Sequence, residues 1–185
     1  MKTSKTMKEF FDDFIIAKKA QGLADKTIKS YQSQFRAINN HLDVNVPIED
    51  ITKSDLEKMV TSMRNSNLAA NSISTYVRIL RVFLSWCNEE GITNLNMKPY
   101  KSEETIKETY SDGELKKLLK KPDLRKCNFA EYRSWVIVNL LLNNGCRAAT
   151  IRNIQNQDVD LDNQVIYLRH TKNKKSQVIP LCSEL

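Results

Sequence analysis

Two side chains in this sequence have the type and setting for chemistry at a phosphate. Arg147 follows an apolar run, Trp135 to Leu142, and then the short stretch Asn143-Asn144-Gly145-Cys146. A guanidinium is almost never left dry without a partner, so Arg147 either turns back to water or meets an anion. Lys172 stands twenty-five residues further on, between two short apolar segments, the second ending Val-Ile-Pro-Leu. An arginine offers a planar fork of donors that fits two phosphate oxygens at once, and a lysine at a hairpin tip can hand a proton to an oxygen leaving phosphorus. That pairing suits phosphoryl transfer.

The elements that must position them follow from local pattern. Ser111 and Glu114 are spaced as a capping box ahead of Leu115, Leu118 and Leu119, which starts a helix. From about Ala130 to Asn144 the chain is apolar almost all round, the mark of a central buried helix. Gly145 closes it and puts Arg147 at a helix junction. After a short helix through Ile151 and Ile154 the period changes. A turn around Asp160 to Asn163, a strand Val165 to Arg169, a loop Thr171 to Lys175 and a strand Gln177 to Leu181 are expected. Lys172, Lys174 and Lys175 crowd that loop; solvation is one explanation of the charge and an anionic partner the other. His170 reads as a strand-edge residue.

The front half is read as four helices. The first covers 6–21 and exits at Gly22; the second follows Asp25, a candidate N-cap, with Ile28, Tyr31, Phe35, Ile38 and Leu42 on one stripe. Pro47 breaks the chain, and a third helix opens at Thr52 or Ser54. The fourth runs from about Ala70 to Glu90, with Ile73, Tyr76, Val77, Leu80, Phe83, Leu84 and Cys87 along its apolar side. The other side carries Asn71, Ser74, Thr75, Arg78, Arg81 and Ser85, with no acid until Glu89. Small polar groups with two arginines either form a solvated face or approach phosphates and groove edges. Residues 97–108 are charged, contain Pro99 and lack an apolar period, as a linker does. Trp86 and Trp135 read as packing residues.

Bulk properties bound these readings. The 185 residues are 41% hydrophobic and 28% charged, with only four Gly and four Pro, which favours a helical globular chain. The net charge of +7 suits a phosphate backbone or an anionic surface. No signal-like segment and no run of about 18 apolar residues is visible, so a soluble, cytoplasmic protein with no membrane partner is expected. Cys87, Cys127, Cys146 and Cys182 lack metal or disulfide spacing and are read as reduced thiols.

Taken together, "LLNNGCRAATIRNIQNQDVDLDNQVIYL" and "HTKNKKSQVIPL" resemble the tyrosine recombinases, the family of phage integrases and Xer-type recombinases. The first matches an apolar helix, Gly-x-Arg, a short helix and an Asp-x-Asp turn before a strand; the second is similar to the lysine hairpin. "ADKTIKSYQSQFRAINNHL" and "ANSISTYVRILRVFLSWCNEEGI" are similar to the helical core-binding domain. The resemblance implies a mainly α chain with a small β-hairpin or sheet. A four-helix SAM-like core-binding domain (1–97) and a linker (98–108) would precede the first part of an α+β catalytic domain (109–185).

Carried over by position, Arg147 matches the first catalytic arginine and Lys172 the hairpin lysine. Helices two and four would face the major groove of double-stranded DNA, with Lys26, Thr27, Lys29, Asn71, Ser74, Thr75, Arg78 and Arg81 as contacts. Lys174 and Lys175 would touch the backbone. The resemblance implies no metal or nucleotide cofactor, a protein encoded by a bacterium or by a phage or other mobile element, and a homotetramer on DNA for a full-length member. The chain departs from the pattern in carrying Thr150 where the family usually has an acid. The family's His-x-x-Arg helix, further His or Trp, and nucleophilic tyrosine belong downstream of the hairpin. This chain is therefore expected to be part of a longer recombinase, inactive alone and able to exist as a monomer; of Tyr31, Tyr76, Tyr100, Tyr110, Tyr132 and Tyr167, most read as core or linker residues. A non-catalytic, recombinase-like DNA-binding protein is the alternative, and a helical interaction module a third.

Overall fold

The computed structural model describes residues 5–101, 108–169 and 176–181, and the chain divides after Ile106 into two units. Two α-helix starts in each unit are written as capping boxes. In the first unit, α1 (Met7–Ala20) begins where the Thr6 hydroxyl accepts the Glu9 N–H and the Glu9 carboxylate accepts the Thr6 N–H. α3 (Lys53–Asn65) repeats the device with Thr52 and Asp55. Each box satisfies backbone donors that a helix start otherwise leaves to water.

α2 (Asp25–Asn39) starts differently from expectation: Ala24, in extended conformation, is the N-cap, and Asp25 is the first helical residue. The acid there still faces the positive end of the helix dipole, so the same residue helps from inside the first turn. Leu42, expected on this helix, is buried just beyond its end. α4 (Ala70–Glu89) is the longest helix, and Gly91 follows it in the left-handed region.

These helices enclose one aromatic-rich core in which Phe14, Phe83, Met59 and Leu80 have almost no exposure. Phe11 stacks on Phe35 at 3.7 Å between ring centroids, and Phe83 meets Phe11, Phe14 and Phe35 edge-on. Trp86 packs against the same cluster, and so do Met97 and Tyr100 from the segment expected to be a linker. Their apolar side chains find cover that a charge count over 97–108 does not reveal.

The second unit opens with α5 (Asp112–Leu119), capped by Ser111 and Glu114 as expected. α6 (Phe129–Asn144) is capped by Asn128 and Glu131 and ends at Gly145, φ +60°. The expectation of an all-round buried helix does not hold: only Trp135, Asn139 and Leu140 are buried, while Phe129 and Leu142 are exposed. A helix buries only the sides its neighbours cover. α5 covers the Trp135 side, where the indole N–H donates to the Leu119 carbonyl at 2.9 Å. The Leu140 side joins Ile151 of α7 (Ala148–Ile151) and Ile166 and Leu168 of the sheet.

That sheet has three antiparallel strands in the order β1 (Val159–Asp160), β2 (Val165–Leu168), β3 (Gln177–Pro180). Ile166 pairs with Val159 on one side and Ile179 on the other. β1 is two residues long, too short for the alternation that marks a strand in sequence. The intervening turn is held by Asp160, whose carboxylate accepts from both the backbone and the side-chain N–H of Asn163.

Candidate nucleic-acid interface

The first unit presents a polar helix face on α4 whose acid, Glu89, stands in the last turn and accepts from the Ser85 hydroxyl at 3.2 Å. At about 100° per residue, Asn71, Ser74, Thr75, Arg78, Arg81 and Ser85 fall within a sector of about 120° on α4. The opposite side, through Ile73, Val77, Leu80 and Leu84, is in the core. Arg78, Arg81 and Asn71 are exposed, and Ser74 and Thr75 half-buried. The Thr75 hydroxyl donates to the Asn71 carbonyl, leaving its oxygen free to accept. On α2, which packs directly on α4, Lys26 and Lys29 are exposed and Thr27 is half-buried.

Ion pairing separates these helices from their neighbours. Among the described residues, the ion pairs of this unit are Lys5 with Asp13, Lys53 with Glu57, and Lys58 with Asp55. All involve α1 or α3. Lys26, Lys29, Arg78 and Arg81 have no such partner among the described residues. Their charge is available to an external anion.

In the second unit, Arg147 occupies the N-cap position of α7, directly after the left-handed turn at Gly145. Its carbonyl accepts the N–H groups of Thr150 and Ile151 at 2.8 and 3.2 Å, which fixes the backbone. Its guanidinium is exposed and has no hydrogen-bond partner among the described residues. Thr150 is buried; a threonine brings no charge to orient the arginine, unlike the acid the family pattern has there. Lys172, Lys174 and Lys175 lie outside the described residues, as does His170. The described part brings together the segments flanking them: Leu140 and Ile151, on either side of Arg147, and Leu168 and Ile179, on either side of the lysine segment, belong to one apolar cluster.

Sequence reasoning missed a buried carboxylate. Asp158, in a single 3-10 turn before β1, is only 3% exposed. One of its oxygens accepts the Gln155 N–H at 2.9 Å and the other the Nε–H of Arg169 at 2.7 Å. The only signal was Arg169 at the expected strand end; its partner required the unpredicted β1. Among the described residues, no group of three or more His, Cys, Asp or Glu could hold a metal ion, and no helix is long and apolar enough to cross a membrane.

Comparison with known proteins bears on both units. Residues 7–91 match the phage integrase N-terminal SAM-like domain, and residues 108–185 match the phage integrase family. The chain is 26% identical over 187 aligned residues to tyrosine recombinase XerA of Saccharolobus solfataricus, covering 92% of this chain and 58% of that protein. It is 23% identical to a probable integrase/recombinase protein of Methanocaldococcus jannaschii, covering 96% of this chain and 56% of that one. It thus spans a little over half the length of these relatives. The fold is also that of lambda integrase in a tetramer bound to a Holliday junction, with a TM-score of 0.76 at 21% identity over 97% of this chain and 50% of that one. With both units matched in the same order along the sequence, this chain belongs to the phage integrase family of tyrosine recombinases.

Proposed function

We propose that the chain is the DNA-gripping part of a site-specific recombinase. The observation that carries this reading is the basic face of α2 and α4, whose Lys26, Lys29, Arg78 and Arg81 make no ion pair among the described residues, within a unit that matches the integrase SAM-like domain. Lys26, Lys29, Arg78 and Arg81 neutralise phosphates, while Thr27, Asn71, Ser74 and Thr75 are short enough to let the helices approach the groove. Residues 1–97 form the core-binding domain, 98–108 the connection, and 109–185 the beginning of the catalytic domain.

In the full reaction a tyrosine hydroxyl attacks a backbone phosphorus. A bond from phosphorus to the tyrosine oxygen forms, and the bond from phosphorus to the 5′ oxygen breaks. Arg147 stabilises the charge on the non-bridging oxygens, and Lys172 delivers a proton to the departing 5′ oxygen. The 5′-hydroxyl of another strand reverses the step. Because the phosphotyrosine keeps the bond energy, this scheme calls on no cofactor. We assign the nucleophile to a segment outside these 185 residues and the complete exchange to a tetramer on DNA. Lys174 and Lys175 add backbone contacts.

Duplex binding tests the gripping role: log affinity falls linearly with log salt, and absence of duplex binding at low salt would refute it. In a polypeptide that includes the nucleophile, Arg147→Lys lowers cleavage on the order of 10²–10³-fold with affinity nearly kept. Undiminished cleavage removes Arg147 from the reaction. The buried, uncharged Thr150 favours a second reading, a recombinase-like DNA-binding protein without chemistry, which the same cleavage assay separates from the first.

A further inference from the structure

The Asp158–Arg169 pair is lopsided. The Asp158 side chain keeps 4% of its exposure and the Arg169 side chain 58%. Leaving the guanidinium in water spares the pair the desolvation cost of a second buried charge and keeps that cation accessible. Here the carboxylate is already met by one backbone N–H and one Nε–H. Of the five N–H donors of a guanidinium, only that at Nε is engaged among the described residues. The two terminal nitrogens, the pair that makes a fork for phosphate, have no partner among the described residues.

The backbone beneath them is fixed. Ile166 and Leu168 of β2 point into the core of the second unit, so by the alternation of a strand Tyr167 and Arg169 share the other face. Tyr167 is 38% exposed. Continuing the β1–β2 register by one residue puts Asp158 across from Tyr167 and diagonal to Arg169, within reach of a long side chain. The pair therefore holds a planar cation, by its inner edge, on an accessible face beside an aromatic ring. A pre-oriented arginine loses less freedom when it binds.

We propose that Arg169 is a further contact to the DNA backbone, its guanidinium oriented by Asp158 so that the terminal nitrogens meet a phosphate. The inference rests on the duplex-binding reading above and adds a second-unit residue that the family pattern did not supply. The test compares wild type, Arg169→Gln and the double variant Asp158→Asn/Arg169→Gln in duplex titrations over a salt series, with thermal unfolding alongside. Arg169→Gln takes the Arg169 charge away from a buried carboxylate and lowers the unfolding midpoint. The double variant removes one charge of each sign, so the net charge stays at +7, and recovers the midpoint. The proposal expects both variants to lose about 0.9 from the magnitude of the log–log salt slope, the share of one phosphate. A double variant with wild-type slope makes the pair a structural tether and overturns the proposal. A wild type that fails to bind duplex DNA refutes the duplex-binding reading itself, and this inference with it.

Discussion

The basic face of α4 can be tested against simple net charge. Arg78→Gln with Arg81→Gln removes two exposed cations that make no ion pair among the described residues, so the core beneath them, Val77, Leu80 and Leu84, is untouched. If each arginine neutralises one phosphate, the salt slope loses about 0.9 per residue, or about 1.8 together. Across a fourfold rise in salt, from about 50 to 200 mM, affinity then falls about 12-fold less than in wild type. The control is Lys53→Gln with Lys58→Gln, which removes the same charge from α3, where those lysines already pair with Glu57 and Asp55. Charges more than about 10 Å from the duplex are largely screened at 0.1 M salt, so the control keeps the wild-type slope. Fluorescence anisotropy with a labelled duplex reads both. Equal loss in the two variants would mean that overall charge, not this helix face, governs binding; an unchanged slope in the α4 variant would remove α4 from the interface.

Three further outcomes follow from the packing and the caps. Phe83→Ala, at a position with no exposure and three edge-on ring contacts, destabilises the first unit by about 3–5 kcal/mol, measured by denaturant unfolding. Gly145→Ala meets no atom within 4 Å but keeps φ at +60°, so it costs about 1–2 kcal/mol of backbone strain, read from the unfolding of the second unit; no loss would mean the turn is not held left-handed. The capping carboxylates Glu9, Asp55 and Glu114 lie below their ordinary values of 4.5, 3.8 and 4.5, Glu9 chiefly through the Thr6 N–H, Asp55 and Glu114 chiefly through the Thr52 and Ser111 hydroxyls. A depressed folded-state pKa means their contribution is complete above the ordinary value and is lost as pH falls through the lower folded one. Thermal unfolding followed downward from pH 5 should show this loss, and Glu9→Gln should flatten it; an unaltered acid limb would dissociate the caps from it.

The order of elements was legible in the sequence because it depends on local physics. Thr52, Ser111 and Gly145 act on backbone groups within a few residues, and the stripe from Ile73 to Cys87 repeats with the helix period, so both can be read without a fold. The place of Arg147, two residues past a glycine helix exit, was legible in the same way. The failures also have a local cause: Ala24 caps α2 through its extended backbone, which no side chain announces.

What the tertiary structure alone decided is which of those faces have partners. Periodicity marks the side of a helix that is apolar, but only neighbouring elements determine whether it is covered, and so Leu142 and Phe129 of α6 are exposed while Met97 and Tyr100 are packed. The same holds for charge. Nothing in the composition distinguishes Lys58, which pairs with Asp55, from Arg78, which makes no ion pair among the described residues, or foretells that Asp158 is buried against Arg169. Pairing depends on distance in space, and desolvation on what lies on every side, neither of which a linear pattern contains.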